Sequence, residues 1–245
     1  MSVLFPLDRH RTASITHLEF ANSIEDRRSG GGMGCLPDIL LSIKSLESFT
    51  LEFITAWGQE TEYTNSMDPR TIGQLLHIHA STLVQLEIAA SDSAEFPTTS
   101  LIGSLAGYTN LKKLAIPEPF LGGTRDEFWT IADVLPPNLE ELQLQFPMLF
   151  IQQEDKDRAI RIKRLEELAA AKLARFPALR RVIWWYQPAE CWDDGVGLRF
   201  GPISDMDHLT VTFRKVGVKF EWVSTTYFDY TPFKDRDENW WEFED

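Results

Sequence analysis

A short template, apolar-x-x-apolar-x-apolar, occurs six times in this chain and constrains its fold more than any other feature. The copies are Ile15, Leu18 and Phe20; Leu46, Phe49 and Leu51; Leu83, Leu86 and Ile88; Leu111, Leu114 and Ile116; Leu139, Leu142 and Leu144; and Leu179, Val182 and Trp184. Their first residues lie 31, 37, 28, 28 and 40 positions apart. Self-similarity on this scale is the signature of stacked supersecondary units. The last four residues of each copy alternate with a period of two, as in a short strand with one buried face. Two to four residues rich in Ser, Thr, Asn, Pro or Ala lead into each copy, which predicts a tight loop there.

Ahead of each loop the apolar spacing changes to three and four, the period of a helix with one buried stripe. Leu40, Leu41 and Ile43 precede the second strand, and Ile72, Leu75, Leu76 and Ile78 the third. Leu101, Ile102 and Leu105 precede the fourth, and Phe128, Ile131, Val134 and Leu135 the fifth. Ile162, Leu165, Leu168, Ala169 and Leu173 precede the sixth, on the longest predicted helix. Asp68 followed by Pro69 has the form of an N-cap with proline at the first helical position.

A seventh unit is less plain. Met206, Leu209, Val211, Phe213 and Val216 suit a helix over 206–216 that ends at Gly217 and feeds a strand through Val218, Phe220 and Trp222. The β-branched run Thr210, Val211 and Thr212 leaves a β-hairpin as the competing expectation.

Helix, loop and strand repeated in this order imply parallel strands, because the helices supply the crossovers that parallel pairing needs. The expected fold is α/β, a stack of about seven units burying one core between a strand layer and a helix layer. Residues 15–222 would form the repeats, 1–14 an N-terminal cap or the residue of a further domain, and 223–245 an acidic and aromatic C-terminal cap.

The stretches "LPPNLEELQLQF", "YTNLKKLAI" and "VGVKFEW" give this chain a family likeness. It resembles the leucine-rich-repeat proteins, and most closely the irregular repeats of fungal F-box-type proteins. The resemblance implies a solenoid, or horseshoe, with the parallel sheet on its concave face. It also implies protein recognition, as in the substrate-binding part of an SCF-type ubiquitin-ligase adaptor. There are two departures. The Asn or Cys that such repeats place three residues beyond the last strand leucine is replaced by Ser23, Ile54, Ser91, Pro119 and Pro147, so irregular loops are expected. "CLPDILLSIKSL" at 35–46 mimics the opening of an F-box, but the strand-like "ESFTLEF" follows it. A repeat helix with Pro37 near its start is the expectation there.

Chemistry is sparse. Gly30, Gly31, Gly32 and Gly34 lack the spacing of a phosphate or dinucleotide loop. His77 and His79 are two apart, so on a helix they point apart and cannot share a metal. No serine sits in a G-x-S-x-G elbow. No catalytic residue, metal or cofactor is assigned. A loop site near 191–194, where Cys191 and Trp192 precede Asp193 and Asp194, and a purely structural scaffold stand as the alternatives to a binding module.

The formal net charge of -13 disfavours nucleic acid and anionic membranes as partners. No stretch is long and apolar enough for a signal peptide or a membrane span. Two cysteines, no CxxC and no glycosylation sequon point to an intracellular protein, cytoplasmic or nuclear, and a monomer is expected. Residues 156–181 form a basic stretch, expected to be a solvated helix face with docking of an acidic partner as the alternative.

Function is therefore sought in the side chains that project between the buried strand positions. These are His17 and Glu19; Ser48, Thr50 and Glu52; Gln85 and Glu87; Lys113 and Ala115; Glu141, Gln143 and Gln145; Arg181, Ile183 and Trp185; and Lys219 and Glu221. Their partner would be a protein. Trp185 and Arg181 rank first, since exposed Trp and Arg are the usual anchors of protein interfaces.

Overall fold

The computed structural model describes residues 12–24, 35–54, 69–90, 101–122, 130–146, 154–186 and 203–224. Seven strands form one all-parallel sheet whose spatial order is their sequence order. They are β1 (His17–Ile24), β2 (Ser48–Ile54), β3 (Gln85–Ala90), β4 (Lys113–Pro117), β5 (Glu141–Phe146), β6 (Arg181–Tyr186) and β7 (Lys219–Ser224). The helices are α1 (Leu36–Ser42), α2 (Pro69–Leu76), α3 (Glu118–Gly122), α4 (Ile131–Val134), α5 (Glu154–Arg175) and α6 (Ile203–Lys215). A 3-10 turn over His77–His79 extends α2.

The sequence period becomes the strand register. Leu18 pairs with Phe49, Phe49 with Leu86, Leu86 with Leu114, Leu114 with Leu142, Leu142 with Val182, and Val182 with Phe220. These residues and, from Phe20 to Trp184, those two positions further on pack toward the helices, while Trp222 on the last strand is 41% exposed. Leu86, Ile88, Leu114, Ile116, Leu142 and Leu144 are buried in one cluster with Leu40, Ile72, Leu165, Leu168, Leu209 and Phe213 from the helices. Burying a side chain of this kind stabilises by about 1.5–3 kcal/mol, so the cluster carries the fold.

A carbonyl relay fixes each step between units. The carbonyl of Thr16 accepts from the amides of Glu47 and Ser48, that of Glu47 from Val84 and Gln85, and that of Val84 from Lys112 and Lys113. Lys112 then accepts from Glu140 and Glu141, and Glu140 from Arg180 and Arg181. Side chains reinforce it at the tight loops. Asn110 Nδ2 donates to the Ser81 carbonyl at 2.6 Å, Asn138 Nδ2 to the Thr109 carbonyl at 2.7 Å, and Thr82 Oγ1 to the Leu46 carbonyl at 2.8 Å.

The seventh unit is a helix and a strand. At its end the Val218 amide donates to the Phe213 carbonyl and the Gly217 amide to the Arg214 carbonyl, at 3.0 Å each. Gly217 holds a left-handed φ of 75° between them. This is the glycine-terminated helix end that leaves few carbonyls unpaired. It outweighs the strand preference of Thr210, Val211 and Thr212, and Phe213 stacks on Phe220 with centroids 5.0 Å apart.

Two expectations are corrected. Leu101, Ile102 and Leu105 lie in irregular backbone and not in a helix. Gly103 takes a φ of 93°, and the amides of Ile102 and Leu105 bond across to the carbonyls of Phe120 and Val134. α3, which lacked a periodic signal, packs Phe120 and Leu121 into the core beside them. Leu173 is 73% exposed, because α5 ends two residues later and Phe176 turns inward. Phe128 and Asp68 lie outside the described residues, as do 1–11 and 225–245, which span the expected terminal caps apart from their inner residues.

Candidate protein-binding face

Register aligns the varying side chains of the opposite sheet face into rows. The first row runs His17, Ser48, Gln85, Lys113, Glu141, Arg181, Lys219. The second runs Glu19, Thr50, Glu87, Ala115, Gln143, Ile183, Glu221. A third is interrupted: Glu52 pairs with Ala89, and Pro117 with Gln145, Trp185 and Val223 in turn. The β3–β4 ladder stops at Glu87 and Ala115, and Pro117 further along β4 has no amide hydrogen to donate. The sequence-derived residues thus share one face.

They are not equally presented. Glu87 is 1% exposed, Ala115 0%, Gln143 and Ile183 5% each, and Gln145 is also buried. The expectation that all of these project to a partner is corrected for these five. In a parallel sheet, row neighbours stand about 4.8 Å apart and cover one another's flanks. Glu87 is the only charged member of this buried stretch. Ala115 and Ile183 are buried yet lie outside the main hydrophobic cluster, so the middle of the face carries burial of its own. Alternation along a strand tells which side a residue takes, not whether water reaches it. His17, Glu19 and Lys219 are exposed, while Ser48, Thr50, Glu52, Gln85, Lys113, Glu141, Arg181, Trp185 and Glu221 are half-buried.

The two leading anchors also differ from expectation. Trp185 is half-buried, and Arg181 is held by its own sheet. Arg181 Nε donates to Glu221 Oε2 at 2.5 Å, and Lys219 Nζ pairs with the same carboxylate. Burial pushes the Glu221 carboxyl up, but hydrogen bonds from Lys219 and Arg181 outweigh it and leave the group below its ordinary range. Where the strands begin, Glu140 sits between Lys112 at 3.1 Å and Arg180 at 3.2 Å, and Arg180 also reaches Glu141 at 3.1 Å. The hydrogen bond from Lys112 is the main cause holding the Glu140 carboxyl low.

The basic stretch of α5 ties the helix layer together. Arg164 pairs with the buried Glu118 of α3 at 3.7 Å, Arg175 with Asp133 of α4 at 2.5 Å, and Glu166 with His208 of α6 at 2.7 Å. Burial drives the Glu118 carboxyl up, against the pull of Arg161 and Arg164. The two histidines diverge. His79 is buried and its Nε2 donates to the Leu40 carbonyl at 3.0 Å, while His77 meets Tyr108 edge-on at 6.3 Å. Burial pushes the Tyr108 phenol up to about 12, and its hydroxyl donates to the Gly73 carbonyl at 3.4 Å.

Among the described residues no three His, Cys, Asp or Glu side chains converge as metal ligands. No described helix is long and apolar enough to cross a membrane. The glycine loop at 30–34 and the loop at 191–194 lie outside the described residues. The asparagine ladder of Asn110 and Asn138 escaped the sequence reading, although its signal is present: each asparagine directly precedes the first leucine of its template, at Leu111 and Leu139. Searches of protein-family models, curated proteins and solved structures find no match to this chain.

Proposed function

We propose that this chain is a non-catalytic protein-recognition module. It is an α/β solenoid of the leucine-rich-repeat kind, and a partner polypeptide docks along the open ends of its strand face. The carrying observation is the unbroken first row, in which one register from His17 to Lys219 aligns seven side chains of six kinds on one face. A constant frame with varying side chains is how a repeat array acquires specificity without catalytic groups. The likeness to F-box-type proteins makes substrate recognition for a ubiquitin ligase the setting to test first.

The contact residues on this reading are His17, Glu19, Thr50, Glu52 and Gln85 at one end, and Lys113, Glu141, Arg181, Trp185, Lys219 and Glu221 at the other. Affinity capture from cells would compare the full chain with Glu19→Arg, Gln85→Arg and Trp185→Ala variants. Loss of the same captured protein in all three, with retention in Lys163→Glu on the outer helix face, supports the reading. Capture unchanged by the three row variants overturns it. Co-capture of ubiquitin-ligase core subunits decides the ligase setting separately.

A further inference from the structure

One edge of the described structure has a charge opposite to that of the chain. Helix C-termini lead into strand N-termini there, and the last four units carry an excess of cations. Lys112, Lys113, Arg180, Arg181 and Lys219 stand at or just before the first residues of β4, β6 and β7. Lys172 and Arg175 occupy the last turn of α5, and Arg214 and Lys215 that of α6. Lys172 Nζ donates to the Pro177 carbonyl at 3.2 Å, which brings the end of α5 to the turn before β6. Among the described residues the acids paired along this edge are Asp133, Glu140, Glu141 and Glu221, fewer than half as many as the cations. The chain as a whole has a formal net charge of -13.

Complementing the helix dipole explains basic residues in a last helical turn. It does not explain Lys112, Lys113, Arg180, Arg181 and Lys219, which belong to strand starts. Among the described residues, nine cations stand against four carboxylates, an excess of positive charge along this edge. Arg214, Lys215 and Lys219 are exposed on neighbouring elements.

We infer that this basic edge of units four to seven is a docking surface for an acidic polypeptide segment of a partner. Charge complementarity selects that occupant. Nucleic acid fits less well, because Phe176, the aromatic that Arg175 lies over at 5.8 Å, is buried and offers no open face for base stacking, and the chain's net charge repels phosphate. The inference rests on the reading of the chain as a recognition module, and it adds the chemistry of the partner. It shares Lys113, Arg181 and Lys219 with the proposed strand face but none of the row-variant positions Glu19, Gln85 and Trp185, so its failure leaves the row-variant test standing.

The test is fluorescence anisotropy of a fluorescein-labelled oligo-glutamate peptide titrated with the full chain. Binding should weaken as salt rises. Removing two exposed charges in Arg214→Gln/Lys215→Gln should weaken it about fivefold, as should the combination Lys112→Gln/Lys219→Gln on the strands. Lys163→Gln, midway along α5, should leave it unchanged. Circular dichroism melts of each variant separate lost binding from lost folding. Absence of binding overturns the inference, as does equal weakening by Lys163→Gln. Tighter binding of a single-stranded oligonucleotide overturns it in favour of nucleic acid. Tighter binding of a peptide of residues 225–245 overturns it in favour of the chain's own acidic end.

Discussion

Gly73 of α2 faces the backbone of Ile102 so closely that a Cβ added there would sit 1.8 Å from the Ile102 carbonyl oxygen. That approach lets an irregular segment stand where another unit has a helix. Gly73→Ala must push this backbone aside and disturb the bond from the Ile102 amide to Phe120. A cost of about 1–3 kcal/mol is expected from overpacking. In a chain of this size that lowers Tm by roughly 2–10 °C in a calorimetric scan. An unchanged Tm would show that the 101–108 segment yields freely.

Gly217 tests a different physical effect. Nothing lies within 4 Å of a Cβ added there, so only its φ of 75° is at stake. Gly217→Ala should cost about 1–2 kcal/mol, the penalty of a left-handed backbone for an L-residue. Gly217→Asn should cost less than Gly217→Ala, because Asn tolerates that region. Denaturant midpoints of the two variants, compared at equal slope, decide it.

The asparagine ladder predicts a specific failure of conservative substitution. Asn138 Nδ2 donates to the Thr109 carbonyl, and a carboxylate cannot donate. Asn138→Asp should therefore destabilise at least as much as Asn138→Ala, by about 0.5–1.5 kcal/mol. Asn110→Asp should behave in the same way against Ser81. Equal stability of the Asp variants and wild type would remove the ladder from the account.

The Glu118–Arg164 pair predicts non-additivity. Both side chains are largely withdrawn from water, at 5% and 13% exposed. Removing Arg164 leaves the buried Glu118 with the pull of Arg161, and either single change should destabilise the fold by about 1–3 kcal/mol. The double change Glu118→Leu/Arg164→Leu should cost less than the sum of the two single changes. A double-mutant cycle from urea titrations gives the coupling directly, and a coupling of zero would show that the pair is not felt.

The carboxylates of Asp133 and Glu140 are held below their ordinary values of 3.8 and 4.5, chiefly by the Thr130 hydroxyl and the Lys112 ammonium respectively. A depressed carboxylate stabilises the fold above its unfolded value, and that contribution is lost as pH falls through the folded value. Stability should thus decline on acidification below the ordinary carboxylate range. Glu140→Gln should flatten the acid limb of the pH–stability curve, read as denaturant midpoint against pH. An acid limb of unchanged slope would show that this network adds nothing.

Much of the fold was legible because its signals are local. Leu139, Leu142 and Leu144 announce a strand, and the distance to the next such triple is the distance to its register partner. Gly217 announced the end of α6 in spite of three β-branched neighbours. The irregular segment at 101–112 was not legible, because Leu101, Ile102 and Leu105 have helical spacing. What overrides it is long-range: the carbonyls of Phe120 and Val134 and the space left by Gly73. The candidate site was half legible. Period two assigned Glu87, Gln143 and Ile183 to the right face, but the burial of that stretch depends on packing that periodicity does not report. Arg181 looked like a free anchor because its partner Glu221 is 40 residues away and becomes a neighbour only when β6 and β7 pair.

The carbonyl relay makes the two margins of the sheet unequal. Each step from helix to strand is tied down amide by amide, so length changes there would break a bond at every unit. The number of residues between the end of a strand and the next described helix varies far more. It runs from none between β4 and α3 to the 16 residues of 187–202 between β6 and α6. The sheet resembles a bound book, with a stitched spine on one side and leaves of unequal width on the other. In descendants of such a chain, insertions should accumulate along the uneven margin while the spine keeps its count.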